Sequence, residues 1–549
     1  MMSVSRTIKL IGSVSVILLA VLSTSCTNAE KTDSAPKPPN IVLINADDLG
    51  YGDLSCYGAT LVQTPNIDRL ASEGRSFSDA HAASAVCSPS RYGLLTGTYP
   101  LRRNFWGPIG GLDDGLTIDT TQMTLASLLK DAGYATACVG KWHLGLGVDK
   151  PDYNKELKPG PLELGFDYFY GVPMVNSGPP FVFVENHGVD GYDPADPFVR
   201  GEKSVTQKWP AKGGYNAIGG AEKAHMLYRD EKVGMTLKDK AIEWMKKTHL
   251  NNKDKPFFLY LATTNIHHPF TPAPQFKGTS KAGRYGDFIH ELDWIVGEVM
   301  RTLKEMGVED NTLVIFTSDN GGMLNHGGQD AWKAGHQLNG DLLGFKFGAW
   351  EGGHRIPMIA KWPGVIPANS SSTHLISQVD LLATFAGIVD QPLSGNDHDG
   401  VNQLLELKGE AKAPLREILM ITPNSPEHLV VRKGKWVYIP QQGEGGFQGK
   451  GNAHNLGGAA AFELTNQKNS DVVDNKIKEG APPDQLYDLE KDPYQAENVV
   501  LQNPEVKQEL QQILDEYRGK IGPYPKLGWI HKEVLEEQAK RRLEEQKKE

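Results

Sequence analysis

The chain has 549 residues, 39% hydrophobic and 23% charged, which is the balance of a globular protein long enough for one large domain and a smaller one. Its formal net charge of −10 gives no support to nucleic-acid binding, which requires a basic stripe, and it repels polyanions at long range, so an anion site must be basic locally. Four cysteines are too few for a disulfide framework.

In chain order, the first predicted element is an export signal at residues 1–25. Arg6 and Lys9 precede an apolar run at 11–22, which has the length of a signal h-region and is short for a bilayer span. Cys26 follows small residues, as at a bacterial lipoprotein processing site, although Leu22 lies one place further away than that pattern usually has it. Cleavage near Ala29 by an ordinary signal peptidase is the competing reading. Lipid on Cys26 would anchor the protein through several acyl chains, with the polar segment 27–39 as a tether. The expected location is the periplasm, or the outer membrane of a bacterium as a lipoprotein.

A catalytic domain is expected over 40–424. Residues 40–48 are an apolar run ending in Asp47 and Asp48, and 312–320 repeat that grammar with Asp319 and Asn320 at the end. A third run, 256–262, leads on to His267. Each reads as a buried strand of a parallel sheet. Helical patterns at 123–132, 235–248 and 288–306 lie between them, so the fold class is α/β, a large mixed but mostly parallel sheet sandwiched by helices with ligands at the C-terminal strand edge. From 425 to 530 the grammar changes to a hairpin at 428–439, a strand at 485–489 and a helix near 504–517, a small α+β domain with an antiparallel sheet. The charged residues 531–549 form a solvated tail.

The chemistry concentrates in four blocks. Cys87-Ser88-Pro89-Ser90-Arg91-Tyr92-Gly93-Leu94-Leu95-Thr96-Gly97 reads as a turn fixed by Pro89 and a short helix stopped by Gly97, with position 87 at its mouth where an anion is favoured and Arg91 one turn along. Gly140-Lys141-Trp142-His143 supplies a lysine and a histidine, residues 265–270 supply His267 and His268, and residues 345–357 supply Lys346. Asp47, Asp48, Asp319 and Asn320 offer oxygen donors alone, a set that selects Ca²⁺ or Mg²⁺ over zinc.

The pattern C-x-P-S-R-x-x-x-L-T-G is complete here, and it resembles the signature of the formylglycine-dependent (type I) sulfatases of the alkaline-phosphatase-like superfamily, in the manner of the bacterial polysaccharide sulfatases. The other three blocks resemble that family's later motifs in the same order. His354 before Arg355 and Phe347 after Lys346 are small departures. The resemblance implies that a formylglycine-generating maturation enzyme oxidises Cys87 to 3-oxoalanine, and that one Ca²⁺ is held by Asp47, Asp48, Asp319, Asn320 and the modified Cys87. It implies that Arg91, Lys141 and Lys346 hold a sulfate monoester and that a hydroxyl of the hydrated aldehyde, deprotonated by Asp319, attacks sulfur. His267 then protonates the leaving alcohol, and His143 takes the proton of the second hydroxyl, which expels sulfate and restores the aldehyde. Cys56 and Cys138 remain, either paired or simply buried.

The implied substrate is a sulfated glycan, such as an algal galactan or a glycosaminoglycan. Insertions at 102–119, 174–228 and 323–340 would carry the subsites, with Trp106, Phe181, Phe183 and Trp332 as stacking candidates and His326 and His336 as polar ones. The rival within the superfamily is a formylglycine-dependent phosphodiester or phosphonate monoester hydrolase. From another class, an inactive glycan-binding surface lipoprotein would have lost some of Cys87, Lys141, His143, His267 and Lys346, and this chain keeps all five.

Overall fold

The computed structural model describes residues 37–109, 112, 114–200, 218–391, 393, 398–446 and 457–528. The export signal with Cys26 and the charged tail lie outside these residues. Among them, ten strands form one sheet: β1 (Asn40–Ala46), β2 (Arg75–Phe77), β3 (Ala135–Lys141), β4 (Tyr168–Val172), β5 (Val184–Glu185), β6 (Gly188–Val189), β7 (Phe257–Ala262), β8 (Thr312–Ser318), β9 (Met358–Lys361) and β10 (Ser370–Ser372). The order is β10-β2-β9-β8-β1-β7-β3-β4-β5-β6. The central run from β8 to β4 is parallel, and β9 joins it antiparallel.

Both faces of the sheet are covered, as the near-continuous apolar runs require. On β1, Ile41 and Leu43 enter one core with Tyr92, Leu94, Leu125, Leu129 and Phe385. Val42, Ile44 and Ala46 enter the other with Ile67, Leu237, Ile289 and Val296. Helices Cys87–Thr96, Leu125–Asp131 and Asp380–Ile388 therefore lie on one side, and Pro65–Ser72, Val233–Asn251 and Gly283–Glu305 on the other.

A second sheet is antiparallel, in the order β11 (Ile418–Ile421), β12 (Val430–Lys433), β13 (Trp436–Ile439), β14 (Gln485–Asp488), with helix Pro504–Arg518 against β12 and β13. Its first strand begins before residue 425. Its apolar face shares a core with Tyr99, Trp106, Leu343 and Trp350. Arg432 of β12 pins it further, donating to both oxygens of buried Asp79 at 2.8 and 2.6 Å. Cys56, Cys87 and Cys138 are free thiols, so Cys56 and Cys138 do not pair.

Register brings the reactive blocks together. Ala46 of β1 is level with Ser318 of β8, and Asn45 with Ala262 of β7, which is in turn level with Gly140 of β3. The C-terminal ends of four parallel strands thus discharge their next residues into one place. Backbone bonds continue past the strands: Asp47 N–H donates to Asn265 O at 2.8 Å, and Asp319 N–H to Ala46 O at 3.0 Å.

Candidate active site

Cys87 is the first residue of helix Cys87–Thr96, every residue of which is buried, and Val86 before it is extended. Pro89 sits in the first turn, where its missing N–H costs nothing. At the far end, Gly97 adopts φ 62°, and its N–H closes onto Gly93 O at 2.9 Å. A Cβ there would lie 2.7 Å from Leu382 Cβ, so glycine is required by both backbone and space. Ser90 of the signature donates to Gln378 Oε1 at 3.2 Å, and Gln378 Nε2 donates to Ser318 O at 2.7 Å, which ties the helix to the end of β8.

Arg91 reaches the strand ends and is fully buried. Its Nε and Nη2 donate to Asp319 Oδ2 at 3.0 and 2.7 Å, and Nη1 donates to Lys141 O at 3.0 Å. Lys141 Nζ donates to both oxygens of Asp47 at 2.8 Å. Lys346 Nζ is bonded to Asp48 Oδ1, which also accepts from Asn320 Nδ2 at 3.0 Å. Lys346 is placed by its own N–H on Gly322 O at 3.0 Å and by the next residue, Phe347, on Ala85 O at 2.8 Å. His267 Nε2 stands 3.8 Å from Asp48 Oδ2, and its Nδ1 donates to His268 O at 2.7 Å. His143 has φ 56° and directs Nε2 to Ile109 O at 3.4 Å, while Nδ1 has no hydrogen-bond partner among the described residues.

Seven of the sequence-derived residues, together with Asp47, Asp48 and Asn320, therefore form one buried cluster. The subsite candidates do not join it as an open sugar platform. Trp106 is 1% exposed in the core, with its indole N–H on Asn104 Oδ1 at 2.8 Å. Phe181 packs near Tyr228 and Phe183 on Tyr170, both fully covered. His336 is 2% exposed and bonded to Asp53. Half-buried Trp332 meets Phe345 edge-on, and half-buried His326 opens helix His326–Lys333. Aromatic composition marked rings without telling which faces the core would take. Two supporting side chains escaped sequence reading, Gln378 and Asn176, whose Nδ2 donates to His267 O at 3.1 Å. Neither belongs to a motif.

The electrostatics follow from burial. Desolvation pushes Asp47 up to about 7, against the pull of Lys141 and with Asp319 and Asp48 pushing the same way. Asp319 feels the same desolvation, but Arg91, Lys141 and Lys346 outweigh it and hold the carboxyl below its usual range. Burial and the neighbouring cations push His143 well below its ordinary value; burial and His268 do the same to His267. Burial raises the Cys87 thiol, although Lys141 and Lys346 oppose it. A thiol raised in this way is not poised as a thiolate, which weighs against direct cysteine catalysis.

The donor set fits a hard divalent cation. Carboxylate oxygens of Asp47, Asp48 and Asp319 lie within 4.8 Å of one another. Asp48 Oδ2 and Asn320 Oδ1 are buried without a hydrogen-bond partner among the described residues, as metal ligands would be. A second cluster, His81, Glu351 and His354, is different in kind. The two Nδ1 atoms are 3.0 Å apart, burial takes His354 down to about 4, and Glu351 and Asp79 already face Arg355 and Arg432. Its charges balance without an ion, so it serves the packing of the second sheet.

The sulfatase family profile matches residues 39–391. An N-acetylgalactosamine-6-O-sulfatase of Bacteroides thetaiotaomicron is 37% identical over 548 residues, covering 94% of this chain and 99% of that protein. The human N-acetylgalactosamine-6-sulfatase is 36% identical over 392 residues, 67% of this chain and 66% of its own. A solved Bacteroides thetaiotaomicron 6S-sulfatase, described with the metabolism of multiple glycosaminoglycans, superposes with a TM-score of 0.75 at 37% identity, covering 88% of this chain and all of that one. Sulfatases of this family in general use Ca²⁺ and formylglycine, and the fold described above is that of the solved relative: the chain belongs to the sulfatase family and is a sulfuric ester hydrolase.

Proposed function

We propose that the chain is an exported, calcium-dependent carbohydrate sulfatase that removes a 6-O-sulfate from an N-acetylgalactosamine-type residue of a sulfated glycan, with Cys87 as the residue converted to formylglycine. The observation that carries this reading is an intact constellation in a chain that matches a bacterial N-acetylgalactosamine-6-O-sulfatase along nearly its whole length.

Asp47, Asp48, Asp319 and Asn320 would hold the calcium ion, which supplies, when bound, positive charge beside the transferring group. The formylglycine supplies the nucleophile. The rest falls to the chain's own residues. Three buried carboxylates face three buried cations, Arg91, Lys141 and Lys346, so a divalent ion leaves the pocket with a positive excess that an anionic ester neutralises. These cations are fixed before substrate arrives and lose little in reorganisation. His267, its Nδ1–H committed to His268 O, presents Nε2 as the atom that would pass a proton to the leaving alcohol; since burial keeps the ring neutral without substrate, Nε2 would first have to take up that proton with the anionic ester bound. His143, its Nε2–H directed to Ile109 O, has Nδ1 free to accept one. Asp319, held ionised, accepts the proton released as the nucleophile forms.

The test is sulfate release, followed by ion chromatography, from N-acetylgalactosamine 6-sulfate, its 4-sulfate isomer and glucosamine 6-sulfate. Preference for the first supports the reading. Release only from the 4-sulfate overturns the position, and release only from the glucosamine ester overturns the sugar. Cleavage of phosphonate monoesters with no sulfate release would move the chain to the phosphoester rival.

A further inference from the structure

Asp53 lies five residues beyond Asp48, the second of the paired acids that follow β1, and takes no part in the chemistry above. It is fully buried, and three donors converge on its carboxylate. The N–H of Gly50 reaches Oδ2 at 2.6 Å, the Tyr285 hydroxyl reaches the same oxygen at 2.7 Å, and His336 Nε2 lies 2.7 Å from Oδ1. Tyr285 and His336 are each 2% exposed. Gly50 follows the turn in which Asp48 takes φ 60°, so Asp53 holds the exit of the turn that presents Asp47 and Asp48.

His336 opens a short stretch that touches the other ligand-bearing loop. Gly52 N–H donates to Leu338 O at 2.8 Å. The side chain of the next residue, Asn339, accepts from Gly322 N–H at 2.8 Å, two residues beyond Asn320, and donates to Gly344 O at 3.0 Å, two residues before Lys346. The fit is close: a Cβ on Gly50 would lie 2.1 Å from Leu338 O. Residues 336–339 thus act as a strut between the turn after β1, the turn after β8 and the Lys346 loop, and Asp53 is where the strut is fastened to the first of these.

We propose that Asp53, with Tyr285 and His336, is a positioning residue that sets the spacing between the Asp47–Asp48 and Asp319–Asn320 turns and thereby the affinity of the cation site. The inference rests on the calcium reading given above. Residues that orient metal ligands through hydrogen bonds contribute about 10- to 100-fold to metal affinity. A purely structural role would lower stability and leave affinity unchanged.

The experiment is calorimetric titration of Ca²⁺ into chelator-stripped enzyme, with melting curves with and without calcium for each variant. Asp53→Ala is expected to weaken calcium binding by about 10- to 100-fold and to shrink the calcium-induced rise in Tm. Asp53→Asn, which keeps an acceptor for Gly50 and Tyr285, should recover most of the affinity. If Asp53→Ala does not fold, Tyr285→Phe, which removes one hydroxyl, decides the matter with a smaller loss in the same direction. Variants that bind calcium as tightly as the unmodified enzyme, at whatever Tm, overturn the proposal. An unmodified enzyme that binds no calcium overturns the calcium reading itself.

Discussion

Lys141 and Lys346 divide the first two carboxylates between them, one on Asp47 and one on Asp48, while Arg91 takes Asp319. Each cation has its own hydrogen-bonded anchor, although Arg91 Nη2 also stands 3.7 Å from Asp47 Oδ1, so removal of either lysine should be felt in the transition state. Lys141→Ala and Lys346→Ala are each expected to lower kcat by about 10²- to 10³-fold, as loss of a preorganised oxyanion donor does. His267→Ala should cost about 10²- to 10⁴-fold and should hurt least with a substrate whose leaving alcohol is acidic, since a phenol needs little protonation. Comparing an aryl sulfate with a sugar sulfate measures that difference, and an equal loss on both would contradict the assignment of His267. That these residues converge on one place was legible in the sequence because they sit in motifs of fixed spacing at strand ends. Gln378, Asn176 and Asn339 were not, because each acts through one to three hydrogen bonds to backbone or a neighbour and carries no motif. Trp106 and Phe181, candidates for sugar stacking by composition, are core rings, because a ring's identity says nothing about which neighbour covers it.

Among the elements, the apolar runs that became β1, β7 and β8 were plain in the sequence, and so were the hairpin β12–β13 and the helix that Cys87 opens. Strand β3 was read as a motif, not as a strand, although it carries Lys141. Its residues Ala135, Thr136, Ala137, Cys138 and Gly140 are small, so pairing with β7 and β4 defines it where hydrophobic pattern does not. The Lys346 loop shows a longer-range dependence. Buried Glu444 accepts from Phe345 N–H at 2.7 Å and also from Gly458 N–H, and it fills the space that a Cβ on Gly348 would need. Burial raises its carboxyl from 4.5 to about 7, the two N–H groups opposing. A raised acid stabilises the fold fully below its unfolded pKa, and that contribution is lost as pH climbs through the folded value. Glu444→Gln should therefore flatten the dependence of unfolding free energy on pH between roughly 4.5 and 7. An unchanged slope in denaturant titrations across that window would contradict this. At the seam between the sheets, Asp79→Asn should cost about 3–5 kcal/mol at pH 7, the loss expected when one partner of a buried pair is removed. Because Arg432, His81 and Arg355 outweigh burial and hold Asp79 well below its ordinary range, that deficit should shrink only as the pH falls below the usual carboxylate value.

At the scale of the molecule, a chain with net charge −10 gathers Arg91, Lys141 and Lys346 in one buried place. The global charge repels polyanionic glycan at long range while the site attracts its sulfate at contact, so added salt should raise kcat/KM on a highly sulfated polymer more than on a monosaccharide sulfate. Binding of calcium to the folded chain alone should add about 2.7 kcal/mol of stability at 100-fold excess over Kd, visible as a fall in Tm on chelation.

The most direct measurement combines peptide mass spectrometry of residue 87, in protein made with a formylglycine-generating enzyme, with sulfate release from N-acetylgalactosamine 6-sulfate before and after chelation. Expected are the mass loss of a thiol converted to an aldehyde, turnover that chelator abolishes and calcium restores, and no turnover by Cys87→Ala. Undiminished sulfate release from protein with unconverted Cys87, or from Cys87→Ala, would rule out formylglycine at position 87 as the nucleophile.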